Sequence, residues 1–210
     1  MDMITALKQH KLVAICRQVP SEHIIKTVKA IVDGGIKFIE VTMDKEGAAE
    51  DIKQLTTHFN QDDVYIGAGT VLNEKDAKAA IDAGAEFIVS PHLSKDVINY
   101  ANDHHVPVFP GTLTPTEVQT AYEWGCQFVK IFPAGAMGAS YIKNIKGPLG
   151  HVDVMATGGV DLDNLAMFIK NGASAIGLGS QLVNLKAVKQ GDYQSVEEVA
   201  KQYIDVLKEC

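Results

Sequence analysis

The 210-residue chain has 46% hydrophobic and 21% charged side chains, a composition typical of a globular domain with a large core. Its formal net charge is −7, and because acidic and basic residues are interspersed there is no basic stripe for a nucleic-acid backbone. The apolar runs are too short to cross a bilayer, and the first residues lack the layout of a signal peptide. We therefore expect one domain over residues 1–210 in the cytoplasm, with no nucleic acid and no membrane as partner.

Neither the cysteines nor the histidines indicate a metal site. Cys16, Cys126 and Cys210 are an odd number without metal-like spacing, so we expect free thiols rather than a disulfide framework or a zinc site. His92 and the pair His104–His105 have no carboxylate–histidine constellation converging on them, and adjacent helix positions point to different sides. We expect them at the surface and predict no metal.

Short apolar runs rich in Val, Ile and Phe alternate with longer amphipathic segments along the whole chain, which is typical of a parallel β/α fold. The predicted strands, in chain order, are LVAICR, IKFIEVT, VYIGAG, EFIVS, VPVFPG, QFVKIF, VDVMAT and SAIGLG. Helical patterns lie between them, for example EHIIKTVKAIVDG, EKDAKAAIDAG and LDNLAMFIKNG. About eight strand–helix units close a barrel. We therefore predict an α/β fold, a (β/α)₈ TIM barrel with an extra N-terminal helix.

The starts of several helices carry capping signals. Thr114, followed by Pro115 and by a glutamate at the third helical position, fits a capping box with proline in the first turn. The other predicted N-caps are Ser21, Asn73, Ser94 and Asp161.

A repeated pattern predicts which strand positions point the same way. The segments DGGIKFIEV, DAGAEFIVS, EWGCQFVKI and KNGASAIGL each contain a helix end, a glycine and a strand, two units apart. A quarter-barrel repeat would produce this pattern, and so would the helix-ending glycines of any β/α protein. In both cases Glu40, Val89, Lys130 and Gly177 occupy the same offset and should share one direction.

The stretch FVKIFPAG places a lysine within a predicted buried strand. Strand alternation puts Phe128, Lys130 and Phe132 on one face and Val129 with Ile131 on the other. The Val and Ile face suits packing against outer helices. We therefore expect Lys130 to face the barrel interior, near the carboxyl ends of the strands where barrel enzymes carry their sites.

The same alternation in IKFIEVT places Glu40 inside the barrel. Because an unpaired buried ammonium is costly, Lys130 either pairs with a carboxylate or gives up its proton. One interpretation is a buried Lys130–Glu40 ion pair that only holds the barrel together. The other is a nucleophilic amine, desolvated by Phe128 and Phe132, that forms a Schiff base while Glu40 serves as the acid/base group.

Two glycine-containing segments, VMATGGV and IGLGSQLV, end the last two predicted strands. In barrels these two loops, with the N-terminus of a short extra helix, frequently bind a phosphate. The residues that offer hydroxyls or accessible backbone N–H groups are Thr157, Gly158, Gly159, Gly179 and Ser180. Ordinary turn chemistry also explains glycines at such positions.

Arg17 ends the first predicted strand and Thr70 closes the third. Arg17 is either a surface residue or a guanidinium at the barrel mouth that binds a carboxylate through two hydrogen bonds. Thr70 could donate a hydrogen bond to the same group.

On these residues the chain resembles the 2-keto-3-deoxy-6-phosphogluconate (KDPG) aldolases, a family that includes 4-hydroxy-2-oxoglutarate (KHG) aldolase activities. The matching segments, in order over nearly the whole length, are IEVTM, IGAGTVLN, FIVSPHLS, VPVFPGTLTPTE, FVKIFPA, IKGP, TGGV and GLGSQLV. The resemblance implies a class I aldolase, a lyase without metal or other cofactor, on a (β/α)₈ barrel that is usually a homotrimer.

The resemblance also implies residue roles. It makes Lys130 the Schiff-base residue and Glu40 the acid/base. The phosphate loops of the family match Thr157 to Gly159 and Gly179 to Ser180. Thr70 and Pro91 match positions that line the pyruvyl part of the substrate, and we place Phe132, in the lysine motif, with the substrate-binding residues.

One position departs from the family. Many members carry an arginine shortly after the EVT motif that contacts the pyruvyl carboxylate, whereas this chain has Asp44 there. Because a carboxylate would repel that end of the substrate, we expect Arg17 to replace the missing arginine, as other members place an arginine on the first strand.

The predicted reaction is retro-aldol cleavage of a 2-keto-4-hydroxy acid. Lys130 attacks the C2 ketone, and Glu40 takes the C4 hydroxyl proton through a water molecule. KDPG would give pyruvate and glyceraldehyde 3-phosphate, and KHG would give pyruvate and glyoxylate. The alternatives are the galactonate epimer of KDPG (KDPGal) as substrate, a non-covalent phosphosugar isomerase or epimerase, and a barrel that senses a phosphorylated acid.

Overall fold

The structure is a computed structural model that describes residues 2–60 and 63–210. Its strands are β1 (Leu12–Cys16), β2 (Phe38–Thr42), β3 (Tyr65–Gly69), β4 (Ile88–Val89), β5 (Val108–Phe109), β6 (Gly111–Thr112), β7 (Phe128–Ile131), β8 (Asp153–Thr157) and β9 (Ala175–Leu178). Its helices are α1 (Met3–His10), α2 (Ser21–Asp33), α3 (Ala48–His58), α4 (Glu74–Asp82), α5 (Lys95–Asp103), α6 (Pro115–Glu123), α7 (Ala134–Met137), α8 (Ala139–Lys146), α9 (Leu165–Lys170), α10 (Leu185–Lys189) and α11 (Tyr193–Lys208). Within these ranges no helix is both long and apolar enough to cross a membrane.

The strands form one parallel sheet in the order β5-β4-β3-β2-β1-β9-β8-β7-β6. Only Pro110 separates β5 from β6, and its carbonyl accepts a hydrogen bond from the backbone N–H of Lys130 at 2.9 Å. Proline has no N–H to donate, so the ladder is interrupted at this residue. The two segments are halves of one strand, which joins β4 to β7 and closes the ring. The predicted eight-stranded barrel is confirmed.

The predicted extra helix is also confirmed. Asp2 caps α1 by accepting a hydrogen bond from the backbone N–H of Thr5 at 3.0 Å. Ala6 and Leu7 of this helix are buried in the same apolar cluster as the barrel-interior residues Phe38 and Phe128. The helix therefore closes the end of the barrel at which the strands begin.

The strand faces follow the predicted alternation. Val89 lies in the interior cluster with Phe38 and Phe128. Phe38 is two residues before Glu40, and Phe128 is two residues before Lys130, so each phenylalanine shares a strand face with that residue. The opposite faces of β2 and β7 pack under the helices through Ile39, Val41, Val129 and Ile131. The direction predicted from the repeated pattern is thus confirmed for these strands.

Three of the five predicted helix caps are confirmed. Asn73 and Ser94 accept hydrogen bonds from the first turns of α4 and α5, and Thr114 forms the predicted capping box with Glu117. The N-cap prediction for Ser21 was wrong, because Ser21 is already the first residue of α2. Asp161 was wrong because its carboxylate bonds within the turn that precedes α9, and the N-cap residue of that helix is Asn164.

Candidate active site

The interior of the barrel has an aromatic floor made by Phe38, Phe87, Phe109 and Phe128. Successive ring centroids lie 5.8, 5.6 and 5.3 Å apart, and all four side chains are fully buried. With α1 beneath it, this layer keeps water away from the lower half of the barrel. Any polar group directly above the floor is therefore dry on one side.

Glu40 and Lys130 lie above this floor, each two residues beyond a floor phenylalanine on its own strand. Their exposed fractions are 1% and 6%. In the described part of the chain the two side chains are not within salt-bridge distance, although the charge of Lys130 acts on Glu40. The ammonium group of Lys130 lies 5.2 Å from the centroid of the Phe132 ring. A direct ion pair that only ties the strands together is not the arrangement observed.

The carboxyl group of Glu40 is held in a tight, dry position. Burial raises its pKa, the positive charges of Lys130 and Arg17 act in the opposite direction, and Asp44 adds to the rise. Its Oε2 atom has no hydrogen-bond partner among the described residues. A Cβ atom at Gly69 would lie 1.8 Å from Oε1, so the glycine makes room for the carboxyl group. A carboxyl with a raised pKa is suited to exchange protons near neutral pH.

A cavity of about 270 Å³ opens above Glu40 and Lys130. Nine of the residues predicted for the site line it: Arg17, Glu40, Thr70, Lys130, Phe132, Thr157, Gly158, Gly179 and Ser180. Gly159 and Pro91 are not in its lining. Gly159 follows Gly158 directly and is exposed. Pro91 packs by its backbone against Gly111, where a Cβ atom would come within 2.3 Å of the proline carbonyl carbon.

One side of the cavity offers donors for an anion. Gly158 and Gly159 have φ angles of 85° and 77°, a left-handed conformation that favours glycine. Because β8 and β9 are paired, this loop lies beside the loop that carries Ser180. The backbone N–H groups of Gly159 and Ser180 have no acceptor within the described ranges. The Thr157 hydroxyl is buried and likewise unpartnered there. These groups can bind a phosphate together.

The opposite side of the mouth carries a charged pair. Arg17 Nη2 donates to Asp44 Oδ2 at 2.6 Å, and Gln18 Nε2 donates to the Asp44 carbonyl at 3.0 Å. Partial burial alone would raise the pKa of Asp44, but the Thr42 hydroxyl and the Arg17 guanidinium hold it below its usual range. Asp44 is therefore ionised at neutral pH and paired with the arginine that the sequence suggested for carboxylate binding.

Two residues of the lining have an unusual backbone. Thr70 and Gln18 have φ angles of 53° and 54°, in the left-handed region. This region is costly for a β-branched side chain, and such residues cluster at functional sites. The left-handed backbone of Thr70 directs its hydroxyl-bearing side chain into the lining at the carboxyl end of β3.

Sequence reasoning missed five lining residues: Ile15, Gln18, Thr42, Val183 and Leu185. Strand parity could have found Thr42, because it lies two positions beyond Glu40 on the same face. Gln18 gave no signal, since its direction depends on a left-handed backbone in a loop. Val183 and Leu185 belong to the segment after β9, whose path no periodicity predicts.

Other reactive groups lie apart from this chemistry. Burial raises the pKa of the Cys16 thiol to about 12, so it is not a thiolate nucleophile. His104 stacks on Tyr100 and bonds its carbonyl at 2.7 Å. Across residues 2–60 and 63–210 no cluster of three or more acidic, histidine or cysteine side chains could hold a metal ion.

The fold and site define a barrel enzyme whose cavity brings a buried amine, a carboxyl group and an anion-binding loop together. Comparison with known proteins gives the class. The family model "KDPG and KHG aldolase" matches residues 3–199, so the chain belongs to this aldolase family. This is a family of class I aldolases, which are carbon–carbon lyases.

Three similar proteins illustrate the match. The 2-dehydro-3-deoxy-6-phosphogalactonate aldolase of Escherichia coli K12 is 36% identical over 94% of this chain and 93% of its own length. The 2-dehydro-3-deoxy-phosphogluconate aldolase of Treponema pallidum is 32% identical over 96% of each chain. The crystal structure of KDPG aldolase from Legionella pneumophila, with pyruvate captured as a covalent carbinolamine, has a TM-score of 0.89 and 25% identity over 95% of this chain and 97% of its own.

Proposed function

We propose that this chain cleaves KDPG to pyruvate and glyceraldehyde 3-phosphate through a Schiff base on Lys130. The observation that carries the proposal is the pair of buried groups, Lys130 and Glu40, which face one cavity directly above the aromatic floor. Lys130 is buried there without a salt-bridge partner among the described residues. Burying an unpaired lysine is costly, and a purely structural role does not require it.

The steps follow from the chemistry of an amine and a carboxylate. The neutral amine of Lys130 adds to the C2 carbonyl, and loss of water with uptake of one proton from the Glu40 carboxyl group leaves a protonated imine and a Glu40 carboxylate. Glu40 takes the C4 hydroxyl proton through a water molecule, the C3–C4 bond breaks, and its electron pair moves into the imine to form an enamine. The aldehyde leaves. Glu40 then returns the proton to C3, and hydrolysis of the imine releases pyruvate and restores the lysine.

The two sides of the cavity orient the substrate in this proposal. Gly158, Gly159, Gly179 and Ser180 bind the 6-phosphate through backbone N–H groups and the serine hydroxyl. Arg17 binds the carboxylate next to the ketone, and Thr70 donates to the same end. Phe132 at the mouth completes the wall beside the pyruvyl part.

The competing substrate is KDPGal, which differs from KDPG in configuration at C4. One observation favours it: the E. coli relative with that activity in its name shares 36% identity with this chain. KHG is the third candidate, and it would leave the phosphate loops empty.

Turnover of KDPG, KDPGal and KHG, measured as released pyruvate with a Lys130→Arg control, tests the proposal. We expect kcat/KM to be highest for KDPG and all three activities to be lost in the control. Faster turnover of KDPGal would reassign the substrate, and turnover that survives in Lys130→Arg would reject the mechanism.

We further propose that the protein acts in the cytoplasm as a homotrimer, as its resemblance to the family implies. Light scattering on the purified chain tests the assembly. A mass three times that of the chain is expected, and a monomer or dimer would contradict it.

A further inference from the structure

A buried ion pair lies behind the mouth of the cavity and has no part in the chemistry described above. Lys45, in the loop after β2, pairs with Asp51 in the first turn of α3. The side chains are only 9% and 1% exposed. Asp51 has no hydrogen-bond donor among the described residues beyond this ion pair, so Lys45 is its counter-charge. Removing only one of the two charges would leave the other buried and uncompensated.

The ammonium group of Lys45 also reaches the neighbouring loop. It donates to the carbonyl of Val19 at 2.6 Å and to the Ser21 hydroxyl at 3.3 Å. Val19 and Ser21 follow directly on the segment that carries Arg17. One buried cation therefore joins the loop after β2 to the loop after β1.

A second, outer connection joins the same two loops. Asp44, the residue before Lys45, accepts from Arg17 Nη2 at 2.6 Å, and its carbonyl accepts from Gln18 at 3.0 Å. The Arg17 side chain is 61% exposed. An exposed ion pair alone holds its geometry weakly, because water and side-chain entropy compete with it. The inner connection through Lys45 is shielded from this competition, because the side chains of Lys45 and Asp51 are almost completely buried.

Arg17 is the only arginine in the sequence, against eighteen lysines. Its other guanidinium N–H groups make no hydrogen bond within the described ranges. A guanidinium held at one edge keeps its planar fork available at the other, a geometry that a lysine does not offer. Fixing that edge before binding lowers the ordering cost of capturing a carboxylate.

We propose that Lys45 is a positioning residue for 2-keto acid binding: paired with Asp51 and bound to Val19, it fixes Asp44, which holds Arg17 toward the substrate carboxylate. This inference rests on the proposed function of Arg17. Lys45 and Asp51 themselves touch neither the reacting atoms nor the substrate. It also gives Asp44 a role other than repulsion of the substrate.

The test uses the double variant Lys45→Met/Asp51→Asn, which removes both buried charges and avoids a lone buried carboxylate. Pyruvate is the probe, and borohydride trapping gives the pyruvate concentration for half-maximal labelling. We expect that concentration to rise about tenfold, since a displaced positioning group weakens binding. The extent of labelling at saturating pyruvate and kcat with saturating substrate should stay within about twofold.

Two controls decide between positioning and general damage. The exposed pair Lys78–Asp82 provides a matched variant, Lys78→Met/Asp82→Asn, which should leave half-saturation unchanged. In an Arg17→Met background the Lys45→Met/Asp51→Asn change should raise half-saturation no further, because its effect passes through Arg17.

If the double change raised the half-saturating pyruvate concentration further in the Arg17→Met background, the inference would be overturned. It would also be overturned if the double change caused no rise in the chain that keeps Arg17. Absence of trapping in the unaltered chain would reject the proposed function, and this inference with it. Normal trapping with unchanged half-saturation in the variant would reject the inference alone.

Discussion

The interior of the barrel contains two layers that differ by two residues along the same strands. Phe38 and Phe128 belong to the aromatic floor, whereas Glu40 and Lys130 lie one step nearer the mouth. Phe38 shares a strand and a face with Glu40, and Phe128 shares them with Lys130. The phenylalanines nevertheless pack on other rings and on α1, whereas Glu40 and Lys130 line a cavity. The floor supplies stability and dryness, and the layer above it uses that dryness for chemistry.

The largest effect is expected from replacing the amine of the upper layer. Lys130→Met should lower pyruvate release by roughly 10⁴-fold or more, because Lys130 is the lysine that lines the cavity. The melting temperature should be unchanged or higher, since an apolar side chain replaces a buried cation. Assays of turnover and thermal unfolding, with Lys53→Met on the exposed side of α3 as control, check both. Activity within tenfold of the unaltered chain would contradict the account.

Glu40→Gln should reduce kcat by about 10²–10⁴-fold while pyruvate trapping on lysine persists. The change also tests the dry environment. Because burial raises the pKa of Glu40 in the folded chain, its ionisation opposes folding as the pH rises from the ordinary value of 4.5. Glu40→Gln should therefore raise the melting temperature at neutral pH, by ~2–4 °C for each kcal/mol of unfolding free energy gained. This gain should vanish below pH 4.5, the ordinary pKa of the carboxyl group.

A melting temperature that falls at pH 7 in Glu40→Gln would show that the carboxylate is stabilised in the fold. The upper layer would then be a structural ion network.

Gly69→Ala tests the space in which the carboxyl lies. The added Cβ atom would meet Glu40 Oε1 at 1.8 Å, so the carboxyl must move. We expect kcat to fall by about 10²-fold, with trapping retained. Gly147→Ala is the control, because its Cβ atom makes only an ordinary contact at 3.5 Å. Full activity in Gly69→Ala would mean that the position of Glu40 is unimportant.

The smallest effect on activity is expected from the floor itself. Phe128→Leu should cost about 1–3 kcal/mol of unfolding free energy, measured in urea, and change kcat only a few-fold. It should also move the acid limb of the pH profile to lower pH. Water reaching the cavity weakens the burial that raises the pKa of Glu40, so the carboxylate stays ionised at lower pH. An acid limb that does not move would separate the floor from the chemistry above it.

Much of this division could be predicted from the sequence, because strand parity is a local property. The alternation in FVKIFPAG and IKFIEVT correctly placed Lys130 and Glu40 inside the barrel. The pairing of Arg17 with Asp44 could not be predicted. It depends on the path of two loops, for which no periodic pattern exists. The caps show the same limit, since Asn73 is correct and Asp161 instead bonds within a turn before its helix.

The proposed mechanism requires the amine of Lys130, held above the aromatic floor, to bond covalently to a keto acid. The most direct measurement is borohydride reduction of the chain in the presence of pyruvate, followed by peptide mapping over all eighteen lysines. We expect one reduced pyruvate adduct, on Lys130. No adduct, or an adduct on a different lysine, would contradict it.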